Sequence, residues 1–453
     1  MWSMLYYLRN NPEKIKWSQR RRGLNEKIAD EARMYDELWR VVQRKLDELR
    51  HERNVVAKLI GKLKGEEKKK AVERAKELSK EIEYFERLAN QYKTKRDSLL
   101  LSIPNIVHET VPIGRDENDN VPIRFYGKPK VWRGYLDQFL KQVGDNKVDY
   151  ELIDYIPLGH ATAVEKFGWA DTRRAAKVAG SRFYYLFGDL VWLDFALMLY
   201  ALDYLAKKGF IIVEPPFMLR RKPYEGVISF EDFEEMIYKV EREDLYLIAT
   251  AEHPLAALHM NEVIEENKLP LMYAGVSPCF RKEAGAHGKD TKGIFRVHQF
   301  NKVEQFIFTK PEDSWDWLEK LIANAEELWK GLDIPYRVVA ICTGDLGVVA
   351  AKKYDLEAWM PAQGRYREMV SCSNCTDYQS YRLNIRFAKV KGAPAEGYVH
   401  TLNSTAIATS RAITAIIENN QEPDGTVIIP KVLRKYLEPI DSAPKDEIRP
   451  IVK

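Results

Sequence analysis

At 453 residues, 45% hydrophobic and 30% charged, the chain is too long for one ordinary core and reads as two or three helix-rich globular domains. No run approaches the roughly eighteen apolar residues of a membrane span, and Met1–Asn11 lacks the features of a secretory signal. Four cysteines cannot make a disulfide scaffold, so a cytoplasmic setting is expected. The net charge of +4 is unevenly spread: residues 1–101 hold 26 Lys and Arg against 17 Asp and Glu, and the remainder is mildly acidic. A basic first quarter suits an anionic partner such as RNA, but charge alone equally describes a solubilised helix.

From about Asn25 to Leu101 there is no proline, and glycine occurs only at Gly61 and Gly65. Met34, Leu38, Val42, Leu46, Leu49, Val56, Ile60 and Leu63 recur in steps of three and four, with Arg53 filling one gap. A second seam follows at Val72, Ala75, Leu78, Ile82, Phe85, Ala89, Tyr92 and Leu99, with Arg96 in its gap. The spacing predicts two long helices over about 26–101, turning near Gly61–Gly65 into an antiparallel coiled-coil hairpin, with Pro104 ending the second. Lys62, Lys64, Lys68, Lys69 and Lys70 crowd its tip. Such an arm reaches a distant part of a large partner, an RNA stem among them, or serves as a purely structural or dimerising element.

Beyond Pro104 glycine and proline return and apolar runs shorten to strand length at Phe210–Val213, Leu245–Ile248, Leu269–Ala274 and Ile294–Phe308. Strands and helices mix without a regular βαβ rhythm, which predicts an α+β domain around an antiparallel sheet. No P-loop or Rossmann glycine pattern occurs, so any ATP site is built another way. Pro278–Glu283 ends one strand, a loop follows that includes the solvent-facing His287, and a strand is expected from Ile294. Arg296, His298, Phe300 and Glu304 then share one face, with Phe295, Val297, Val303 and Ile307 on the other. A cation, an aromatic plane and a carboxylate in one row can hold a nucleotide, or simply make a charged exposed sheet. Cys372 and Cys375 form a C-x-x-C pair with no second pair, read as reduced thiols.

The run Phe280–Glu304, FRKEAGAHGKDTKGIFRVHQFNKVE, resembles the second signature motif of class II aminoacyl-tRNA synthetases in its seryl form. Thr401–Arg411 is similar to the third motif, and Val191–Leu205 leading to Glu214-Pro215-Pro216 to the first, a dimer interface. Thr250-Ala251-Glu252, with His253-Pro254 behind it in the archaeal manner, and Ser371–Asn374 also match seryl-tRNA synthetase segments, and the arm precedes them in the family's order.

The resemblance implies an N-terminal tRNA-binding domain over 1–110 and a class II catalytic domain over 111–453. It implies activation of L-serine with ATP, transfer to tRNA(Ser) held along the arm, and a homodimer with no membrane; charging of tRNA(Sec) stays open. Arg281, Glu283 and Arg411 are the implied catalytic residues. Arg281 would bridge the α-phosphate and the serine carboxylate, Glu283 would take the adenine amino group, and Arg296 the γ-phosphate. Phe300 would stack on adenine with Arg411 on its other face, while Lys282, Val297, Met369 and Val370 complete the ATP set. Glu368 and Ser371 would hold Mg²⁺, and no zinc is expected. Serine would meet Thr250, Glu252, Arg281, Glu304, Asn403 and Thr405.

Overall fold

A computed structural model describes residues 2–229, 234–283 and 290–451, so His287 lies outside the described residues. The chain divides into two compact units, Met1–Ile106 and Val107–Lys453.

In the first unit, α1 (Ser3–Asn10) and α2 (Pro12–Arg21) precede two long helices, α3 (Lys27–Ile60) and α4 (Gly65–Ser102). Gly65, with a positive φ of 61°, opens α4 after the turn. The helices pack antiparallel, with Leu46, Leu49, Leu78 and Ile82 buried between them. Their 34 and 38 residues extend the hairpin by roughly 50 Å, at about 1.5 Å per residue.

Toward the base the seam departs from the expected one. Met34 and Leu38 are exposed, and Ala29, Ala32 and Asp36 are buried in their place. Arg96, which the apolar pattern treats as a gap, is a buried cation. It donates to Asp36 at 2.9 Å, and Arg9 of α1 forks onto the same carboxylate at 2.8 and 2.9 Å. Both guanidiniums also lie over Trp39, at 4.9 and 5.7 Å from its ring centre. Counting apolar residues misses this seam because small alanines admit the α1–α2 layer and ion pairs replace hydrophobes. Asp36→Ala removes the counter-ion of the partly exposed Arg9 and one of the two acids on the buried Arg96, which keeps Asp97 at 2.6 Å, so chemical denaturation should show this unit destabilised by about 1–3 kcal/mol.

The second unit is built on an eight-stranded sheet. In chain order its strands are β1 (Val121–Tyr126), β2 (Ile211–Val213), β3 (Leu271–Phe280), β4 (Gln299–Thr309), β5 (Tyr336–Ala340), β6 (Lys352–Met360), β7 (Arg365–Thr376) and β8 (His400–Ala408). The spatial order is β1-β5-β6-β7-β8-β4-β3-β2, antiparallel throughout except for the β3–β2 pair. Five helices bear on the site and its surroundings: α5 (His160–Lys166), α6 (Thr172–Ala179), α7 (Asp189–Lys207), α8 (Ser314–Gly331) and α9 (Thr409–Asn419). Leu193, Leu197 and Ala201 of α7, Leu321 and Ile322 of α8, and Ile413 and Ile416 of α9 form one core with sheet residues such as Ile307, Leu356 and Ile407. These helices cover one sheet face; on the other, a second apolar cluster around Phe306, Phe308 and Leu255 borders the polar side chains of the cleft. The fold is α+β, with the antiparallel sheet flanked by helices and the hairpin arm ahead of it in the chain.

The strand expected from Ile294 begins only at Gln299. Ile294 and Phe295 are nonetheless buried, because this segment packs on α5 rather than pairing in the sheet. Arg296 and His298 therefore lie ahead of the strand, while Phe300 and Glu304 do share its cleft face; the register shift opposite Val303 and Glu304 places its extra residue, Ala406, on β8. His298 instead receives Arg281 N–H on its carbonyl at 2.9 Å and stacks on Phe183.

Candidate active site

A cleft of about 390 Å³ opens on this other face of the sheet. Strand ends bring its groups together. Arg281 follows β3, Phe300 and Glu304 stand on β4, Glu368, Met369 and Ser371 on β7, and Asn403 and Thr405 on β8. Arg411 projects from the first turn of α9, directly after β8. Thr250 and Glu252 enter from a short helix, Glu252–Ala257, where the Thr250 hydroxyl accepts from Glu252 N–H at 3.2 Å. All of these residues line the one cleft. Lys282, Glu283 and Arg296, expected in the site, are not among the residues that line the cleft. The Val297 and Val370 side chains are buried in packing, which leaves only their main chains for a ligand.

Opposite charges in the cleft are paired with one another. Glu283, in the left-handed region at φ 52°, accepts from Arg296 at 2.8 Å. Arg411 bonds to Glu368 through the main-chain carbonyl at 2.9 Å and the carboxylate at 3.1 Å. Glu304 pairs with Lys302 at 2.6 Å and accepts from the Thr405 hydroxyl at 3.3 Å. Arg281 lies 5.2 Å over Phe300, with its Nε on Ala249 O at 3.2 Å, while Arg411 lies 5.2 Å over Phe295. Glu283 and Arg296, the groups expected at the two ends of a nucleotide, thus hold each other.

The blind end is a hydrogen-bond chain. Glu252 accepts from Gln379 and Asn403 amides at 3.0 Å each, and Asn403 also reaches Cys375 Sγ at 3.6 Å. Burial and the neighbouring charge of Glu304 push the Glu252 carboxyl up to about 7. His253 beside it bonds to the Tyr224 hydroxyl at 2.8 Å, and burial with Lys302 and Arg281 nearby lowers it to about 3, so it stays neutral. Cys372 and Cys375 face opposite ways along β7, the first toward Leu318 O and the second into the cleft.

Several participants escape a reading of the sequence. Lys302 is two residues from Glu304 and on its face by spacing, but a buried lysine is legible only from its partner. Lys353 and Asp355 sit on β6, where Asp355 pairs in register with Ser371 of β7. Asp355 Oδ1 is buried without a hydrogen-bond partner. Burial and the charge of Glu368 push this carboxyl up, with Lys353 opposing them. Glu368 goes the other way: enclosure works against its charge, but Arg411, Lys353 and Arg281 together hold the carboxyl well below its usual range.

Glu368, the Ser371 hydroxyl and the unpartnered Asp355 Oδ1 are all oxygen donors, a set that suits Mg²⁺. Among the described residues no group of three or more His, Cys, Asp or Glu forms a self-sufficient metal cage. An ion held by one or two carboxylates needs substrate phosphates to complete its shell, and this donor set meets that description.

Comparison with known proteins places the chain in a family. Residues 238–420 match the tRNA synthetase class II core domain (G, H, P, S and T), and residues 5–107 match the seryl-tRNA synthetase N-terminal domain. The chain is 64% identical over 450 residues to the serine–tRNA ligase of Archaeoglobus fulgidus, covering 99% of each. It is similar to the crystal structure of seryl-tRNA synthetase from Pyrococcus horikoshii complexed with ATP, with a TM-score of 0.93, 57% identity and 99% of both chains covered. The cytoplasmic serine–tRNA ligase of Naegleria fowleri in complex with AMP gives a TM-score of 0.82 at 41% identity, covering 96% of this chain and 95% of that one. With both domains matched in order and full-length relatives at this identity, the chain belongs to the seryl-tRNA synthetases of class II.

Proposed function

We propose that this chain performs the family's two-step reaction, seryl-adenylate formation followed by transfer of serine to tRNA(Ser), with the residues gathered in this cleft. In the first step the serine carboxylate attacks the α-phosphorus in line and pyrophosphate leaves, so charge collects on oxygens and no protein nucleophile is needed. Arg281 bridges the two reacting groups, Arg296 takes the γ-phosphate once ATP displaces it from Glu283, and Glu283 then receives the adenine amino group. Phe300 and Arg411 hold the base. Glu368 and Ser371, backed by Asp355, would hold Mg²⁺, which when bound neutralises phosphate charge. In the second step the tRNA 3′-terminal hydroxyl attacks the mixed anhydride, AMP leaves, and we assign the proton to the adenylate phosphate.

Serine is read by polar groups. Thr250 and Glu304 take the ammonium, and Glu304 with Thr405 meets the hydroxyl, so alanine would leave buried groups unpaired. The single observation that carries this reading is the convergence of Arg281, Phe300, Glu304, Glu368 and Arg411, from four separate elements, on one cleft. Amino-acid-dependent ATP–pyrophosphate exchange across all twenty amino acids tests it. Serine should stand alone, and exchange driven by another amino acid would overturn the assignment.

Glu252 adds a pH signature. Because its carboxyl is pushed up to about 7, it ionises near neutrality. A second negative charge beside Glu304 favours the serine ammonium, so the serine KM should fall as pH rises through that range. Glu252→Gln should flatten the profile, and an unaltered profile in the variant rules this role out.

The homodimer reading is supported by an uncovered apolar face. Phe195 and Leu199 of α7 and Ile211 and Ile212 of the edge strand β2 are all exposed. The arm's exposed tip lysines support its reading as the tRNA-binding element.

A further inference from the structure

We infer that a basic groove between α5 and α6 is a second RNA-binding surface, on the catalytic unit itself, that receives the backbone near the acceptor end of tRNA; this rests on the proposed aminoacylation function. The groove encloses about 700 Å³ and is lined by Lys166, Arg173, Lys177 and Lys292, with Phe187 on its wall. Those four cations are exposed and carry no acidic partner among the described residues.

The acids present are already engaged. Asp171 caps α6 by accepting Arg174 N–H at 2.7 Å and pairs with the Arg174 guanidinium at 2.6 Å. Glu165 is held by the Thr172 hydroxyl. Charge alone would not single this place out on a basic protein. Here the chain beyond residue 101 has 45 Lys and Arg against 50 Asp and Glu, so four unpaired cations in one groove run against the local average. Phe187, on the groove wall, is 41% exposed and is backed by stacking on Tyr185, an aromatic plane of the kind that takes unpaired bases.

The groove lies beside the segment that leads to Arg296. Gly293, next to Lys292, packs so tightly on α5 that an added Cβ would lie 2.5 Å from His160 Nε2. Arg182, three residues past the end of α6, donates to the carbonyls of Asp290 and Arg296 at 3.1 and 3.3 Å. An RNA strand in the groove would therefore lie next to the segment that carries the residue assigned to the γ-phosphate. The chemistry is that of a phosphodiester backbone with flexible, partly unstacked ends: scattered monovalent cations with no fork geometry to demand one base.

The test compares the full-length wild type with the triple variant Lys166→Gln, Arg173→Gln, Lys177→Gln. Serine-dependent pyrophosphate exchange should stay within about twofold, since no substituted group lines the cleft. The KM for a tRNA(Ser) transcript should rise at least about tenfold, and the slope of log affinity against log salt should become shallower by about two to three. Arg173→Lys, which keeps the charge, should restore its share of the slope. An unchanged KM and salt slope overturns the inference while leaving the enzyme's function intact. A variant that loses its oligomeric state by sedimentation also overturns it, assigning the groove to a second copy. A wild type that makes seryl-adenylate but charges no tRNA overturns the parent reading and this one with it.

Discussion

Replacing Arg281 with alanine should lower serine-dependent pyrophosphate exchange by at least about 10³-fold, because the position holds the two reacting anions together and meets the charge that builds further on the phosphate oxygens as pentavalent phosphorus forms. The geometry explains the size of the effect. Arg281 is fixed by one main-chain bond from Nε to Ala249 O and by the face of Phe300, so its outer nitrogens are held over the cleft without reorganisation. Fold stability should change little, since the guanidinium is not the sole partner of any buried acid. Near-normal exchange in a folded Arg281→Ala protein would refute the assignment. Arg296 makes an instructive contrast: in the proposed role its bond to Glu283 would be exchanged for phosphate, so part of its attraction would offset the loss of that pair.

Removing the outer part of the hairpin should separate the two steps. Deleting residues 51–81 and joining Arg50 to Ile82 through a short glycine linker keeps the Arg9–Asp36–Arg96 knot that closes the arm's base. It removes the lysine-bearing tip. Pyrophosphate exchange should remain within about twofold, while charging of tRNA should fall at least about 100-fold, equivalent to about 2.7 kcal/mol of binding. Loss of both activities would make the arm a structural requirement. Retention of both would remove it from tRNA recognition.

Most of the hairpin was legible from residue spacing because two helices packed only on each other must repeat their apolar positions every three to four residues. The seam failed at Asp36 and Arg96 because an ion pair gives no apolar signal, and each residue taken singly looks exposed. The cleft behaved the same way. Arg281, Phe300, Glu304, Glu368, Ser371, Asn403, Thr405 and Arg411 could be named from motifs, and they do line one cleft. Lys302, Asp355, Gln379 and Cys375 could not, since each matters through a partner on another strand or helix, or through a charge hidden by burial: Glu304, Ser371, Glu252 and Asn403 are those partners.

Sequence by itself determined the elements, the arm, the family and the chemical types in the site, because these rest on short-range periodicity and on motifs that fix a strand end or a helix start. Tertiary structure alone decided which charges neutralise each other, where β4 begins, and which residues stand behind the reacting groups. Those outcomes depend on contacts between residues distant in the chain, such as the 151 positions separating Glu252 from Asn403. They depend also on burial, which turns an ordinary carboxylate such as Glu252 into one that titrates near neutrality.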